Sequence, residues 1–481
     1  MQSPQPKLAS RALIGACAAL TLVGVVGLVL GARDRVAAHG SSPKSSQWRT
    51  PILSIRRVPG VLRNASARQR LEAAVRQALS APDLAGALGR SCVVVRAAGG
   101  LVTVLNPTLA VMPASTLKVL TAVAALARIG ADERFTTSVR SPAPAVAGAL
   151  KGDLWFVGGG DPLLETADYT ATQVHDPESA TSLEKLADAV VAGGIRSVEG
   201  AVVGDDRRYD AVRLLPTWKR SYLTSGEVGP IGALMVNDNF TVVAAGTRRA
   251  ASDVPADAAA IFQTLLEARG VTFGRSSRGA TSADAAASSV APNVVAEVQS
   301  VPLHDVLSEM MRWSDNTTAE MIVKELGLRS TGTGSTAAGV EAIRSSLSLR
   351  GVDVRSMRTV DGSGLDRSDR LTCKLLADAV ALEPANGPFM DSLPVMGRSG
   401  TLRRRLRASS ATGKVRAKTG TLSDVSSLAG RADGTDGSSI EFALVFNGLR
   451  SSSVGVQAGN TIAEALVSFP DAPTTAQLGP E

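Results

Sequence analysis

A serine followed three residues later by a lysine can form a nucleophile–base pair, and this pattern occurs three times in the chain. The three pairs are Ser41 with Lys44, Ser115 with Lys118, and Ser182 with Lys185. Ser41 lies in a small-residue, polar lead-in, and Ser182 reads as the N-cap of a polar helix. Ser115 instead opens a stretch that is almost wholly apolar, so the context favours this pair for chemistry.

Ser115 and Lys118 are expected one turn apart on the same face of a buried helix. Burial disfavours the charged ammonium and lowers the pKa of a lysine. A general base for a serine hydroxyl requires that lowered pKa. The helix N-terminus would also favour a developing oxyanion. The alternative is a capping serine beside a lysine that extends its amine to solvent.

Two further motifs occur once each in the chain. Ser314-Asp315-Asn316 falls between two predicted helices, where a loop can aim side chains into a cleft. Lys418-Thr419-Gly420-Thr421 lies on a predicted strand, where the lysine can hold a carboxylate and the glycine lets a substrate backbone approach. The alternatives are a helix stop followed by a cap, and a charged, exposed edge strand.

Together, and in this order, the motifs form the set found in β-lactamases and penicillin-binding proteins. The chain resembles that superfamily, and more closely the low-molecular-mass class C penicillin-binding proteins, the D-alanyl-D-alanine carboxypeptidase/endopeptidase family. Lys118 and Ser314 are 196 residues apart, and a long insert at this place is a hallmark of that family. The resemblance covers roughly residues 60–468 and includes further segments at 157–162 (VGGGDP), 236–239 (VNDN), 361–365 (DGSGL), 397–402 (GRSGTL) and 413–421 (GKVRAKTGT).

The resemblance implies how the acyl-enzyme would form. Ser115 would attack the carbonyl of the penultimate D-alanine of a peptidoglycan stem peptide, and Lys118 would take the serine proton. Ser314 would relay a proton toward the leaving amine with help from Lys418. The backbone N–H groups of Ser115 and Thr421 would form the oxyanion hole.

The resemblance also assigns substrate contacts. Asn316 would hydrogen-bond the substrate peptide, while Lys418 and Thr419 would hold its terminal carboxylate. Gly420 would let the substrate approach, and Thr421 would add a second contact. A β-lactam would be trapped as a stable acyl-enzyme, and neither metal nor organic cofactor is implied. A β-lactamase-like or esterase hydrolase on the same fold, or a catalytically silent cell-wall binding or scaffolding protein, stays open as an alternative.

Composition excludes several other classes. The chain has three histidines, His39, His175 and His304, so a zinc site or a Ser-His-Asp triad is hard to assemble. We expect His175 and His304 to be structural. Aromatic residues make up 3% of the chain, which disfavours nucleic-acid binding by stacking. The segment 361–364 lacks the full G-x-S-x-G pattern and is predicted as a core turn near the cleft.

The N-terminus predicts export. Lys7 and Arg11 precede an uncharged run at 12–32, and a small-residue site would allow cleavage after Ala38. The 21-residue run is also long enough to span a bilayer, so an uncleaved membrane anchor stays open. Removing residues 1–38 lowers the formal net charge from +7 to +4, which gives no argument for a nucleic-acid partner.

The predicted fold class is α/β (α+β), with a DD-peptidase-like antiparallel sheet flanked by helices and smaller inserted domains. The predicted domains are an export segment at 1–38, a linker at 39–60, a catalytic domain at 61–139 and 293–469, an insert at 140–292 and a disordered tail at 470–481. Helices are predicted at 67–79, 115–129, 259–269, 303–313, 317–326 and 454–468. Strands are predicted at 92–95, 101–105, 153–157, 414–422, 425–431 and 439–447. Cys92 and Cys373 could pair or stay as two buried thiols.

Overall fold

A computed structural model describes residues 58–97, 100–173, 179–244, 247–284, 291–474 and 476–478. The predicted export segment, His39, Ser41 and His175 lie outside these residues. Among the helices in the described ranges, none is both long enough and apolar enough to cross a membrane.

The helices are distributed along the whole described chain. They are α1 (Val58–Leu79), α2 (Lys118–Arg128), α3 (Ala167–Thr170), α4 (Leu183–Ala192), α5 (Ser221–Thr224), α6 (Val254–Glu267), α7 (Leu303–Trp313), α8 (Asn316–Thr331), α9 (Thr336–Leu349), α10 (Cys373–Ala381), α11 (Pro388–Ser392) and α12 (Ser452–Val467).

The strands form two larger sheets and several short pairings. They are β1 (Cys92–Ala97), β2 (Gly100–Leu105), β3 (Thr136–Ser141), β4 (Ala149–Leu150), β5 (Leu154–Val157), β6 (Leu164–Glu165), β7 (Thr181–Ser182), β8 (Ser197–Val198), β9 (Val202–Asp205), β10 (Phe240–Ala244), β11 (Thr247–Ala250), β12 (Thr272–Phe273), β13 (Arg278–Gly279), β14 (Asn293–Gln299), β15 (Val415–Leu422), β16 (Val425–Asp433) and β17 (Ser439–Asn447).

The central sheet combines strands from the early and the late part of the described chain. Its strand order is β15-β16-β17-β1-β2, and every neighbouring pair is antiparallel. Side chains alternate between its two faces. Val94 and Val445 pack against the helices that follow Ser115, whereas Val95 and Phe442 pack with residues of α1 and α12. The predicted antiparallel sheet flanked by helices is therefore confirmed.

The predicted elements occur at the expected places, with shifted ends. The helix predicted at 115–129 is split into a 3₁₀ turn at Ala114–Leu117 and α2. The helix predicted at 259–269 begins earlier, at Val254, because Asp253 caps it and Pro255 suits its first turn. The strand predicted at 425–431 extends to Asp433.

The insert has a sheet of its own, in the order β13-β9-β5-β3-β14. Its apolar residues, including Phe156 and Phe262, form a separate core. The chain enters this sheet through β3 and leaves through β14, and these two strands pair with each other. The predicted domain division at 140 and 292 stays a prediction, and the pairing in the structure reaches Thr136 and Gln299.

A disulfide links the central sheet to the helical layer. Cys92 begins β1 and Cys373 begins α10, and their sulfur atoms are bonded. Of the two possibilities left open by the sequence, the structure has the pair. The bond joins residues that are 281 positions apart, so it closes a very long loop in the unfolded chain.

We expect the double replacement Cys92→Ala with Cys373→Ala to lower the free energy of unfolding by about 2–5 kcal/mol, because the unfolded chain gains the freedom of that loop. Urea unfolding followed by circular dichroism measures the change. The wild type, measured in the same urea series, is the control. A double variant as stable as the wild type would show that the bond does not stabilise the fold.

Candidate active site

Ser115 lies in the 3₁₀ turn that leads into α2. The preceding Ala114 has a φ of 48°, a left-handed conformation that is unfavourable for alanine. The turn is held by two hydroxyl groups, since Thr116 Oγ1 and Ser427 Oγ each donate to Pro113 O at 2.7 Å. Strained backbone of this kind persists only where the surroundings fix it, and it is common at active sites.

Lys118 is completely buried at the start of α2. Its Nζ is 3.2 Å from Ser115 Oγ, 2.6 Å from Asn316 Oδ1 and 2.7 Å from the carbonyl oxygen of Ser363. Burial lowers its pKa to about 8, although nearby carboxylates, Asp361 foremost, oppose that shift. With this pKa about one tenth of Lys118 is neutral at pH 7, compared with well under a thousandth of an exposed lysine.

The segment 314–316 connects two helices and turns sharply. Ser314 ends α7 in the left-handed region, with φ 65° and ψ 33°. The Asp315 side chain then caps α8 by accepting from the N–H groups of Thr317 and Thr318. Asn316 is the first residue of α8, and its Nδ2 donates to the Glu227 carbonyl oxygen at 2.7 Å.

Lys418 is the second buried lysine of the site, on strand β15. Its Nζ donates to Ser314 Oγ at 2.7 Å and to Thr419 O at 2.9 Å. Burial, and repulsion from Lys118, hold its pKa well below the usual range. The two ends of the segment 314–316 thus contact different lysines: Ser314 contacts Lys418, and Asn316 contacts Lys118.

Strand β15 packs directly against the Ser115 turn at Gly420. A Cβ at this position would lie 2.3 Å from Ser427 Oγ and 2.9 Å from both Pro113 O and Ser115 N. Only glycine allows this approach without movement. Thr421 is exposed one residue further along the strand, and Thr419 Oγ1 donates to Thr401 Oγ1 at 2.8 Å.

β15 is an edge strand whose outer side is only partly covered. Val395 pairs with Arg416, and the N–H of Ala417 donates to Pro394 O. Across the parts of the chain that the structure describes, no backbone bond to this outer edge occurs beyond Ala417. An extended peptide could therefore add to the edge beside Thr419 and Thr421.

The contacts unite the three motifs at one cleft. Hydrogen bonds join Ser115 with Lys118, Lys118 with Asn316, and Ser314 with Lys418, and Gly420 adjoins Ser115. Sequence reasoning did not predict three of the groups that contact the site: the carbonyl oxygens of Glu227 and Ser363 and the hydroxyl of Thr401. The 361–365 and 397–402 segments carried the only sequence signal for the last two. The core turn predicted at 361–364 contacts Lys118 directly.

The remaining candidates have structural contacts. Ser182 accepts from the backbone N–H of Lys185 and caps α4, as predicted. His304 lies at the start of α7, and its Nδ1 is 3.1 Å from Ala131 O. Among the described residues, no group of three or more His, Cys, Asp or Glu side chains is arranged to hold a metal ion.

A serine beside a buried lysine, packed against an antiparallel sheet whose strands come from both sides of a long insert, is the arrangement of a serine hydrolase of the penicillin-binding type. Residues 71–249 and 243–472 match the model of the D-Ala-D-Ala carboxypeptidase 3 (S13) family. The D-alanyl-D-alanine carboxypeptidase of Actinomadura sp. (strain R39) is 31% identical over 448 residues, covering 77% of this chain and 79% of the relative. The chain therefore belongs to this family and is a serine-type D-Ala-D-Ala carboxypeptidase.

Two further comparisons agree with that assignment. Carboxypeptidase DacB of Mycolicibacterium smegmatis is 32% identical over 392 residues, covering 79% of this chain and 80% of the relative. The crystal structure of penicillin binding protein 4 (dacB) from Haemophilus influenzae superposes with a TM-score of 0.68 at 22% identity, covering 82% of this chain and 99% of that one. The second match shows that the fold is shared.

We expect Gly420→Ala to reduce kcat/KM for D-alanine release at least about tenfold, because the new methyl group must displace the Ser115 turn or strand β15. Release of D-alanine from a synthetic acyl-D-Ala-D-Ala peptide measures the effect. Gly86→Ala is the matched control, since nothing lies within 4 Å of a Cβ there. Equal activity of the two variants would show that this approach is not needed.

Proposed function

We propose that Ser115 is the nucleophile and that Lys118 is its general base. The supporting observation is a fully buried lysine with a lowered pKa, 3.2 Å from the serine hydroxyl. In its neutral form Lys118 accepts the Ser115 proton as Oγ attacks the carbonyl of the penultimate D-alanine. The attack forms the bond from Oγ to the carbonyl carbon, and the leaving amine takes a proton as the peptide bond breaks.

Ser314 and Lys418 supply the proton to the leaving amine in this proposal. The 2.7 Å bond from Lys418 Nζ to Ser314 Oγ supports it, because that hydroxyl can pass on its own hydrogen while it accepts one from the lysine. The backbone N–H groups of Ser115 and Thr421 stabilise the tetrahedral oxyanion. A single donor of this kind typically contributes about 3 kcal/mol to lowering the barrier.

The substrate lies along the open edge of β15. Lys418, Thr419 and Thr421 hold its terminal carboxylate, and Gly420 keeps the strand close to Ser115. Asn316 Nδ2 has two hydrogens, and within the described part of the chain one of them is bonded, to the Glu227 carbonyl, so the other can bind the substrate peptide. Water then hydrolyses the acyl-enzyme and frees Ser115.

The biological substrate in this proposal is the stem peptide of peptidoglycan, which places the protein outside the cytoplasm. The predicted export segment is consistent with that location, whether cleaved or kept as an anchor. A second solved structure of the Haemophilus influenzae protein is described as a complex with a β-lactam, at a TM-score of 0.61 and 20% identity. We infer that β-lactams acylate Ser115 here as well.

Endopeptidase action is a second candidate on the same site. A structure described as a predatory endopeptidase of Bdellovibrio bacteriovorus superposes with a TM-score of 0.52 at 18% identity, which shows a shared fold. Analysis of the products from defined muropeptides separates the two activities. Monomeric peptides that lose only D-alanine indicate carboxypeptidase action, and cleavage of cross-linked dimers indicates endopeptidase action.

We expect Ser115→Ala to abolish covalent labelling by a fluorescent penicillin and to abolish D-alanine release, because within the described ranges Ser115 carries the one hydroxyl that is bonded to Lys118 Nζ. Gel fluorescence measures the labelling. Ser182→Ala, in a tetrad that only caps a helix, is the control and should label like the wild type. Labelling of the Ser115 variant would contradict the nucleophile assignment.

The acylation rate should rise with pH and level off above about pH 8. The reason is that Lys118 must lose its proton before it can accept one, and its pKa is about 8. Below that value the neutral fraction, and with it the rate, should increase about tenfold for each pH unit. Stopped-time labelling between pH 6 and 9.5, with circular dichroism to confirm folding, measures this. A rate that is constant over this range would refute the general-base role.

A further inference from the structure

A neutral lysine can act as a base only if its lone pair points at the acidic proton. The neutral amine has two N–H bonds and one lone pair. Two acceptors surround Lys118 Nζ, namely Asn316 Oδ1 and the Ser363 carbonyl oxygen, and the third contact is Ser115 Oγ. When both acceptors receive an N–H, the remaining direction is the lone pair, and it faces Ser115.

The Ser363 carbonyl is fixed because the peptide units on both sides of Ser363 are held by hydrogen bonds. Gly362 O accepts from Thr121 Oγ1 at 2.8 Å, and Gly364 N donates to Asp361 Oδ1 at 2.8 Å. Gly364 has a φ of +80°, and a Cβ there would lie 2.0 Å from Ala114 O, so the turn packs tightly against the serine loop.

Glu320 holds the other side of this turn. Its Oε1 accepts from Gly362 N at 3.0 Å and from Ser363 N at 2.8 Å. The side chain is 1% exposed, and burial, together with the nearby Asp361, raises its pKa to about 8. The two donors belong to the peptide units 361–362 and 362–363, which lead directly into the Ser363 carbonyl that faces Lys118.

Glu320 also lies one turn after Asn316 on α8, so both residues occupy the same helix face. Asn316 supplies one acceptor to Lys118 directly. Glu320 aligns the turn that supplies the other. One face of α8 therefore controls both N–H bonds of the lysine.

We propose that Glu320 is a positioning residue for the general base: it aligns the Ser363 carbonyl so that the Lys118 lone pair is directed at Ser115. This inference rests on the proposed role of Lys118. The positioning role requires a hydrogen-bond acceptor at the place of Glu320 Oε1, and it does not require the negative charge of the Glu320 carboxylate.

Two conservative variants separate acceptor position from charge. Glu320→Gln keeps an oxygen at the same reach and removes the charge, so it should keep the acylation rate constant within about threefold of the wild type. Glu320→Asp keeps a carboxyl group but withdraws it by one methylene, so it should lower the rate constant about 10- to 100-fold, the size of effect expected for a misaligned catalytic group.

Glu325→Asp is the matched control for the same shortening. Glu325 is fully buried five residues further along the same helix, but it pairs with Arg208 and Arg329. This control should lose stability and keep its acylation rate. All rate constants are measured with a fluorescent penicillin on the folded fraction, at a temperature below each variant's unfolding.

These experiments test the positioning role of Glu320 separately from the proposed roles of Ser115 and Lys118. The proposal is overturned if Glu320→Asp has the acylation rate constant of the wild type. It is also overturned if Glu320→Gln or Glu325→Asp loses as much of the rate constant as Glu320→Asp does. Labelling of Ser115→Ala, or a pH-independent rate in the wild type, would instead overturn the roles of Ser115 and Lys118. If those two tests succeed while Glu320→Asp acts like the wild type, only the positioning role fails.

Discussion

The burial of the Lys118 amine is the constraint on which the site depends. An amine removed from water needs partners for each of its hydrogens, because an unpaired buried polar group is costly. Here those partners come from distant parts of the chain: Asn316 from the start of α8, and Ser363 from a glycine-rich turn. The same burial lowers the pKa of Lys118 and so favours the neutral amine that its proposed role as a base requires.

The insert takes part in this organisation. The carbonyl of Glu227 holds the amide of Asn316, and Trp218 Nε1 donates to Asp361 Oδ2 at 2.9 Å, in the turn that faces Lys118. Lys324, which is buried on α8, pairs with Asp210 of the insert. These contacts join the insert to the helix and the turn that bond Lys118. The insert therefore contributes to the packing around the candidate active site.

Much of the fold could be predicted from local pattern. The strands around Lys418 and the hairpin that begins at Cys92 have clear apolar runs bounded by turns, and their positions are confirmed. Helices α9 and α10 were not predicted, although each begins after a capping residue, Ser335 and Thr372, and has apolar residues at helical spacing. The split before Lys118 was also missed, since a 3₁₀ turn and an α-helix have similar apolar spacing.

The sequence by itself determined which residues are the candidates for the chemistry, because two serines, two lysines and an asparagine in three motifs of fixed order are chemically specific. Only the tertiary structure decided how they cooperate. Every residue has a backbone carbonyl, so the Glu227 carbonyl leaves no mark in the sequence, and the 361–365 segment indicates a turn without showing that the Ser363 carbonyl contacts Lys118. Glu320 reads as one more helical glutamate. These contacts arise from close packing of segments far apart in the chain: the Ser363 carbonyl accepts from the buried amine itself, while Glu227 and Glu320 accept from its neighbours Asn316 and Ser363.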